Sequence, residues 1–278
     1  MTPGKPLVLM ISGYRGLAEQ LIADFSARGH ELSVLVRNPD ALKDLRAKYP
    51  KVEWVVGDLS SPETPARWWE ITEKRFQKVD CLVNNAAIQG PGGLFHTMKW
   101  EEIEETITVD LIAPMRLLHE TLNRFVKQNQ GTIINLSGGG ATAARPRFAP
   151  YAISKCALVR LTETLAAEYP ALRFYAVAPG TMKTQMTESI LSLGAEVAGS
   201  EFNPLKQKLD AGGDGTDRAA KLIGWLVEER PEKLSGKLVS AIWDKYQEVD
   251  SSLTELWTLR RVDQALIEKI AKISPHEK

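Results

Sequence analysis

Ile11-Ser12-Gly13-Tyr14-Arg15-Gly16-Leu17-Ala18 decides how this chain is read. The apolar run Leu7 to Ile11 reads as a buried strand, and the periodic stretch Leu17 to Ala27 reads as a helix. A turn with two glycines joins them. At a strand-to-helix junction such a turn lets backbone N–H groups approach a pyrophosphate at the helix N-terminus. Many turns contain two glycines, so the cluster alone says little. Its place after the first strand gives it weight.

Outward from this turn the same alternation continues. Leu32 to Val36, Val52 to Val56, Cys81 to Val83, Thr132 to Leu136, Phe174 to Ala178 and Lys237 to Ile242 read as further strands. Most are near-continuously apolar, as parallel strands covered on both faces require. Asp40 to Lys48, Pro65 to Gln77, Trp100 to Lys127, Tyr151 to Glu168 and Asp217 to Glu229 read as helices, with Pro114 kinking the longest. Alternating β and α elements predict an α/β fold, a doubly wound parallel sheet of about seven strands. The expected organisation is one domain over residues 1–249 and a helical tail over 250–278. In that tail Leu253, Leu256, Trp257, Leu259, Val262, Leu266, Ile267 and Ile270 form a broken apolar stripe, suited equally to its own domain or to a subunit contact. The weakly patterned segment 184–210 is expected over the carboxyl ends of the strands, where ligands bind in such sheets.

Composition narrows the function. The 278 residues carry 35 Lys plus Arg and 35 Asp plus Glu, a formal net charge of zero. That balance leaves no footprint for nucleic acid or an anionic membrane. No apolar run reaches the length of a membrane span, and no secretion signal opens the chain. Two cysteines, Cys81 and Cys156, fit a reducing compartment, so the cytoplasm is the expected location. The four histidines have no ligand spacing, and no metal is expected.

Two further groups of residues point to chemistry. Tyr151 and Lys155 are four residues apart on a helix and share a face. A phenol exchanges protons poorly at neutral pH, and a neighbouring cation lowers the pKa of such a group, so the pair is a candidate general acid/base. Alone, the same spacing is more often an ordinary exposed face. The second strand ends in Val36-Arg37-Asn38. An acidic residue there suits the ribose 2′-hydroxyl of NAD, whereas an arginine suits the 2′-phosphate of NADP. Arg15 in the glycine turn adds a second cation, expected at the same phosphate.

Taken together, these motifs resemble the classical type of short-chain dehydrogenase/reductase over roughly residues 5 to 240. Asp58-Leu59 after the third strand resembles the family's adenine-contacting Asp. Asn84-Asn85-Ala86-Ala87 resembles its Asn-Asn-Ala-Gly motif, and Leu136-Ser137 its serine segment. Pro179-Gly180, with Met182 and Thr184 beyond, resembles the loop that holds the nicotinamide carboxamide. The resemblance implies a Rossmann-type fold and an NADP(H)-dependent oxidoreductase. Hydride would pass between nicotinamide and a small-molecule carbonyl or secondary alcohol. It implies that Tyr151 is the proton donor, that Lys155 supports it and binds the nicotinamide ribose, and that Ser137 polarises the carbonyl. Ser12, Gly13, Tyr14, Arg15, Gly16, Leu17, Arg37, Asn38, Asp58, Leu59, Asn85, Ala86, Ala87, Pro179, Gly180, Met182 and Thr184 would line the cofactor. A homo-oligomer, dimer or tetramer, is expected.

The chain departs from the family at five places, the smallest being Ala87 in place of a glycine. In the glycine turn, either Ser12 replaces the first glycine and Ala18 the last, or one residue is deleted and Gly13 is the first glycine. Gly138 stands 13 residues before Tyr151, where the family has its catalytic serine, so Ser137 must be carried across by the loop Gly138-Gly139-Gly140. Asp110 replaces the family's structural Asn, whose main-chain carbonyl supports the lysine at a helix bulge; a carboxylate there alters the local field. Ser240-Ala241-Ile242-Trp243-Asp244 replaces the usual Asp-Gly-Gly ending, which weakens the expectation of a tetramer. Two other readings stand beside the enzyme: a non-catalytic dinucleotide-binding scaffold or redox sensor, and a different reaction on the same fold. Arg145 and Arg147 lie in a substrate-side loop and read by default as solvated charges.

Overall fold

The structure, a computed structural model, describes residues 5–248, 254 and 257–259. Seven parallel strands form one sheet: β1 Val8–Ser12, β2 Glu31–Val36, β3 Glu53–Val56, β4 Cys81–Asn84, β5 Thr132–Leu136, β6 Arg173–Ala178 and β7 Lys237–Ser240. Their spatial order is β3-β2-β1-β4-β5-β6-β7. This is the doubly wound Rossmann-type sheet expected from the sequence. The order reverses between β1 and β4, which register Leu9 on Cys81 and Ile11 on Val83. A crevice therefore opens at the carboxyl ends of these two strands.

Helices cover both faces. On one lie α1, Leu17–Ala27, and α10, Thr216–Glu229. Leu17, Leu21, Ile22 and Phe25 of α1 join Leu9, Ile11, Val34 and Val83 in one core. The short α2, Leu42–Lys48, leads into β3. On the other face lie α3, Thr64–Phe76, α5, Ala113–Gln128, and α6, Ala149–Glu168. Trp68 and Trp69 of α3 and Phe125 of α5 pack there against Met10, Leu82 and Ile133. Burying a large apolar side chain contributes roughly 1.5–3 kcal/mol, so these two layers dominate stability.

The helix expected over Trp100 to Lys127 is interrupted. α4, Trp100–Ile107, passes through a π-helical turn, Thr108–Ile112, before α5 begins. Pro114 gives the reason. It has no N–H for the carbonyl of Asp110 four residues earlier, and its ring crowds that carbonyl. The segment 184–210 folds into α7, Gln185–Ser192, α8, Gly194–Ala198, and α9, Phe202–Asp210. Ile190, Ala198, Leu205 and Leu209 enclose Phe148, which precedes α6, in a separate small core.

The tail expected over 250–278 lies mostly outside the described residues, including Leu253, Leu256, Val262, Leu266, Ile267 and Ile270. Of its stripe, Trp257 and Leu259 are described. The Leu238 N–H donates to the Trp257 carbonyl at 2.9 Å, and Trp257 packs against the α1 core. This segment thus satisfies backbone on the outer edge of β7.

A buried polar chain ties α6 to the sheet. Asn84 Nδ2 donates to Asn135 Oδ1 at 2.8 Å, and Asn135 Nδ2 donates to Thr162 Oγ1 at 2.9 Å. All three residues are buried. Asn135→Ala leaves the buried Asn84 Nδ2 without its acceptor, at about 1–3 kcal/mol, and removes one of the two bonds of Thr162 Oγ1, which keeps its bond to the Leu158 carbonyl, at about 1 kcal/mol. Urea unfolding of that variant should show a loss of roughly 2–4 kcal/mol, whereas an effect within about 0.5 kcal/mol would mean the chain contributes little to docking α6.

Candidate active site

The glycine turn is set by Ser12, the last residue of β1. Its hydroxyl accepts the N–H groups of Asn85 and Ala86, at 2.9 and 3.0 Å, and reaches the Val83 carbonyl at 3.4 Å. Asn85 Nδ2 closes the same joint on the Ser12 carbonyl at 3.0 Å. Gly13 then opens the turn at φ 82° and Gly16 closes it at φ 63°, directly before α1. Both lie in the left-handed region that glycine adopts without strain. Of the two alignments left open by the sequence, this favours Gly13 as the first glycine in a turn shortened by one residue. Tyr14 and Arg15 form its crest, and Leu17 is buried as the first residue of α1.

Beyond β2 and β3 lies the side on which an adenosine moiety would sit. Arg37 and Asn38 are exposed after β2, and Asn38 caps a short helical turn by accepting the Asp40 N–H at 3.0 Å. Asp58 follows β3, and Leu59 is buried beneath it. Burial raises the Asp58 carboxyl, but bonds from the Ser60 N–H and hydroxyl and the charge of Arg37 outweigh it, so its pKa is lowered. Arg15 points elsewhere. It bonds Tyr14 Oη and Gln185 Oε1, both at 3.1 Å. The structure therefore does not bring Arg15 and Arg37 to one place; Arg15 joins the glycine turn to α7.

The α7 side closes over that turn. Thr184 is the N-cap of α7, and its Cγ2 lies 3.3 Å from where a Cβ on Gly16 would stand. Pro179 is buried, Gly180 takes φ 86°, and Met182 packs on the α1 core. Asp214 holds this loop: it accepts the Thr181 N–H at 2.7 Å, donates its own N–H to the Thr181 carbonyl at 2.7 Å, and pairs with Lys208 at 2.7 Å. Asp214 lies in the Gly/Asp-rich stretch Ala211-Gly212-Gly213-Asp214-Gly215.

Tyr151 and Lys155 lie on the buried face of α6, with 7% and 3% of their surface exposed. The ammonium is 5.4 Å from the Tyr151 ring centroid and donates to the Leu136 carbonyl at 3.3 Å. A Cβ built on Gly138 would lie 2.3 Å from Tyr151 Oη. Gly138, and not Ser137, is thus the residue facing the phenol. The expectation that the glycine loop carries Ser137 across is not met, and strand register explains why. The Ser137 N–H still pairs with the Val177 carbonyl at 2.8 Å, so the ladder fixes its side chain and the next residue faces the opposite way. Ser137 is buried, and its Oγ has no hydrogen-bond partner.

Asp110 sits in the π-helical turn packed against α6 and is fully buried. Oδ1 accepts the Ile88 N–H at 2.8 Å, while Oδ2 has no partner. Burial pushes its carboxyl up to about 6, against the opposing pull of the Lys155 charge and the Ile88 N–H.

Arg145 is no solvated charge. Its guanidinium lies 4.9 Å from the Tyr151 ring centroid and 4.8 Å from that of Phe148, and it forks onto Glu201 at 2.8 and 2.5 Å. Arg147 takes φ 74° and packs beside Gly199. Both arginines therefore tie the active-site loop to the α7–α9 segment. No sequence pattern paired Arg145 with Glu201.

A family model described as short chain dehydrogenase matches residues 6–193. The chain belongs to the short-chain dehydrogenase family. Among its relatives is an A-factor type gamma-butyrolactone 1′-reductase of Streptomyces virginiae, 28% identical over 221 residues, 76% of this chain and 84% of that protein. An uncharacterized oxidoreductase of Thermotoga maritima is 26% identical over 185 residues, 64% of this chain and 72% of that protein. The KRED1-Pglu enzyme superposes with TM-score 0.78 at 25% identity, covering 84% of this chain and all of that one. ElxO with NADP bound superposes with TM-score 0.74 at 23% identity over 86% and 97% of the two chains.

As an oxidoreductase of this family the chain is expected to bind a nicotinamide dinucleotide, and its residues fit one. The turn between Gly13 and Gly16 keeps backbone at the α1 N-terminus free of side chains, since a Cβ on Gly13 would meet Asn85 Nδ2 at 3.3 Å. Among the described residues there is no metal-ligating cluster, and no helix is long and apolar enough to cross a membrane.

The buried Asp110 makes stability depend on pH. Its folded-state pKa of about 6 lies above the ordinary 3.8. The folded state therefore holds the proton longer, and stability falls as pH rises between those values, then levels off. Asp110→Asn removes that loss. Its stability relative to wild type should improve by roughly 2 kcal/mol on going from about pH 4.5 to about pH 8. Denaturant unfolding of both proteins at the two pH values measures this; a pH-independent difference contradicts it.

Proposed function

We propose that this short-chain dehydrogenase is an NADP(H)-dependent oxidoreductase acting on a carbonyl or secondary alcohol, with Tyr151 as general acid/base. The observation that carries the reading is the Tyr151–Lys155 pair on the buried face of α6, its phenol against the bare Cα of Gly138. A dinucleotide-binding scaffold has no need of a buried ammonium beside a phenol.

A bound nicotinamide supplies the hydride. In reduction, Tyr151 gives its proton to the carbonyl oxygen, and the Lys155 ammonium stabilises the phenolate that remains. The 2.3 Å approach leaves no room for a side chain at position 138 while the phenol holds this position. Asn85, Ala86 and Ala87 form the cofactor floor, and Thr184 and Met182 its far wall. NADP over NAD rests on Arg37, beside Asp58 and away from the Gln185-bound Arg15. The reductase name of the Streptomyces relative agrees with carbonyl reduction. Exposed Met115 and Val126 of α5 and Ile153 of α6 suit assembly as a dimer or tetramer.

Tyr151→Phe should keep fold and cofactor affinity while losing about 10²–10⁴-fold in turnover. Lys155→Ala should lose turnover and also bind the cofactor more weakly. Coupled NADPH oxidation across a panel of ketones and aldehydes, with cofactor titrations by fluorescence, separates the two; full activity in Tyr151→Phe refutes the mechanism. Arg37→Ala should remove most of an NADPH preference over NADH, since a charge-assisted contact is worth roughly 1.5–3 kcal/mol. Equal wild-type affinities for the two cofactors contradict the assignment.

A further inference from the structure

We propose that Arg145 is a positioning residue for the reaction, a second cation that Glu201 holds over the Tyr151 ring to stabilise the phenolate left when Tyr151 gives up its proton. The inference rests on the oxidoreductase reading and adds a charge to its mechanism.

The glycine loop makes the place for this side chain. A Cβ on Gly139 would stand 3.5 Å from Arg145 Nε. One on Gly140, which takes φ 92°, would meet Arg145 Cβ at 3.0 Å and Ala152 Cβ at 2.6 Å. The same loop admits the phenol at Gly138, where a Cβ would lie 2.3 Å from Tyr151 Oη. Three consecutive glycines thus let an arginine and a tyrosine settle on one stretch of bare backbone.

The guanidinium is held from two sides. It lies 4.8 Å from the Phe148 ring centroid and 4.9 Å from that of Tyr151. Glu201, at the end of the short turn before α9, accepts from Nε at 2.8 Å and from Nη2 at 2.5 Å. A planar guanidinium suits both tasks, since it stacks on rings and forks onto a carboxylate. The Arg145 side chain is 13% exposed, so water and salt screen its charge little.

Four charged groups act at the phenol or on its neighbours. On α6 the Lys155 ammonium is 5.4 Å from the Tyr151 ring centroid. The loop before α6 contributes Arg145. The turn before α9 contributes Glu201, whose charge opposes that of Arg145. Asp110, in the π-helical turn, acts on Lys155. Gly138, Gly139, Gly140 and Phe148 bring no charge.

Before proton transfer the ring is neutral, and Arg145 gains an ordinary cation–π attraction. Afterwards the ring carries a negative charge, and the attraction becomes one between opposite charges. Arg145 therefore binds the state after transfer more tightly than the state before it, which is what accelerates a step. The proton passes from Tyr151 Oη to the carbonyl oxygen as hydride reaches the carbonyl carbon, and Arg145 keeps all of its own. A simple latch between the loop and the α7–α9 segment would behave differently. Losing either partner breaks a latch alike, whereas on a phenolate Arg145 and Glu201 act with opposite signs.

Two measurements test this. The first needs no substrate: the ultraviolet absorbance of the phenolate is titrated in wild type, Arg145→Gln, Arg145→Lys and Glu201→Gln. Each is read against the same protein carrying Tyr151→Phe, which isolates this tyrosine. The midpoint should move to higher pH in Arg145→Gln and to lower pH in Glu201→Gln. Arg145→Lys, which keeps the charge and loses the fork, should lie between wild type and Arg145→Gln. The second is NADPH-dependent reduction of whichever ketone in a panel of aliphatic, aryl and β-keto-ester compounds turns over fastest. Arg145→Gln should lose about tenfold in kcat with NADPH affinity unchanged, and Glu201→Gln should lose less. An unmoved midpoint in Arg145→Gln, or shifts of one sign in both variants, overturns the proposal. If Arg145→Gln does not fold, Glu201→Gln decides alone, and a midpoint at or above that of wild type overturns it. Opposed shifts in an active enzyme whose kcat is the same in Arg145→Gln refute the role in reduction alone. Opposed shifts in a protein that reduces no ketone refute the oxidoreductase reading and this role with it.

Discussion

The site is organised by one buried ammonium. Removing a charge from water costs several kcal/mol unless partners replace the lost hydration. Lys155 has the Leu136 carbonyl at the end of β5 and the Tyr151 ring one turn back on α6, and it lies in the field of Asp110 in the π-helical turn. These groups belong to the sheet, to the helix and to the broken α4–α5 pair. Holding the lysine therefore fixes the relative placement of all three. The Asn84–Asn135–Thr162 chain gives the same joint a second attachment deeper in the core.

Around this joint the crevice is built by short, specific links. The Ser12 hydroxyl joins the ends of β1 and β4, where strand order reverses. Asp214 fastens the loop after β6, and Arg15 reaches from the glycine turn to Gln185. On the substrate side, Arg145 couples the Tyr151 ring to Glu201. The small apolar core around Phe148 docks the same α7–α9 segment. That segment thus touches both the glycine turn and α6.

Two departures from the family pattern meet at the chemistry. Gly138 leaves the phenol facing backbone where a hydroxyl is usual, and Asp110 puts a titratable carboxyl where an amide is usual. Both change proton chemistry more than shape. Glycine removes a donor while admitting the tyrosine closely, and aspartate preserves the bond to the Ile88 N–H while adding an ionisable oxygen.

Local patterns made much of the architecture readable from sequence. Thr132–Leu136 and Leu17–Ala27 were bounded as expected, because apolar runs and helical stripes record burial residue by residue. The strand-turn-helix junction, the Tyr151–Lys155 spacing and the Arg37 position were legible for the same reason: each is a short-range arrangement on one element. Tertiary structure decided the rest. Whether Ser137 or Gly138 faces the phenol depends on how far the ladder with β6 extends, which no local pattern records. Arg145 reads as a solvent charge until Glu201, 56 residues away, is folded against it. Arg15 and Arg37 read as one phosphate site until the turn directs one of them to α7. An acid at position 110 is ordinary in a helical sequence; only tertiary packing removes its water and raises its carboxyl.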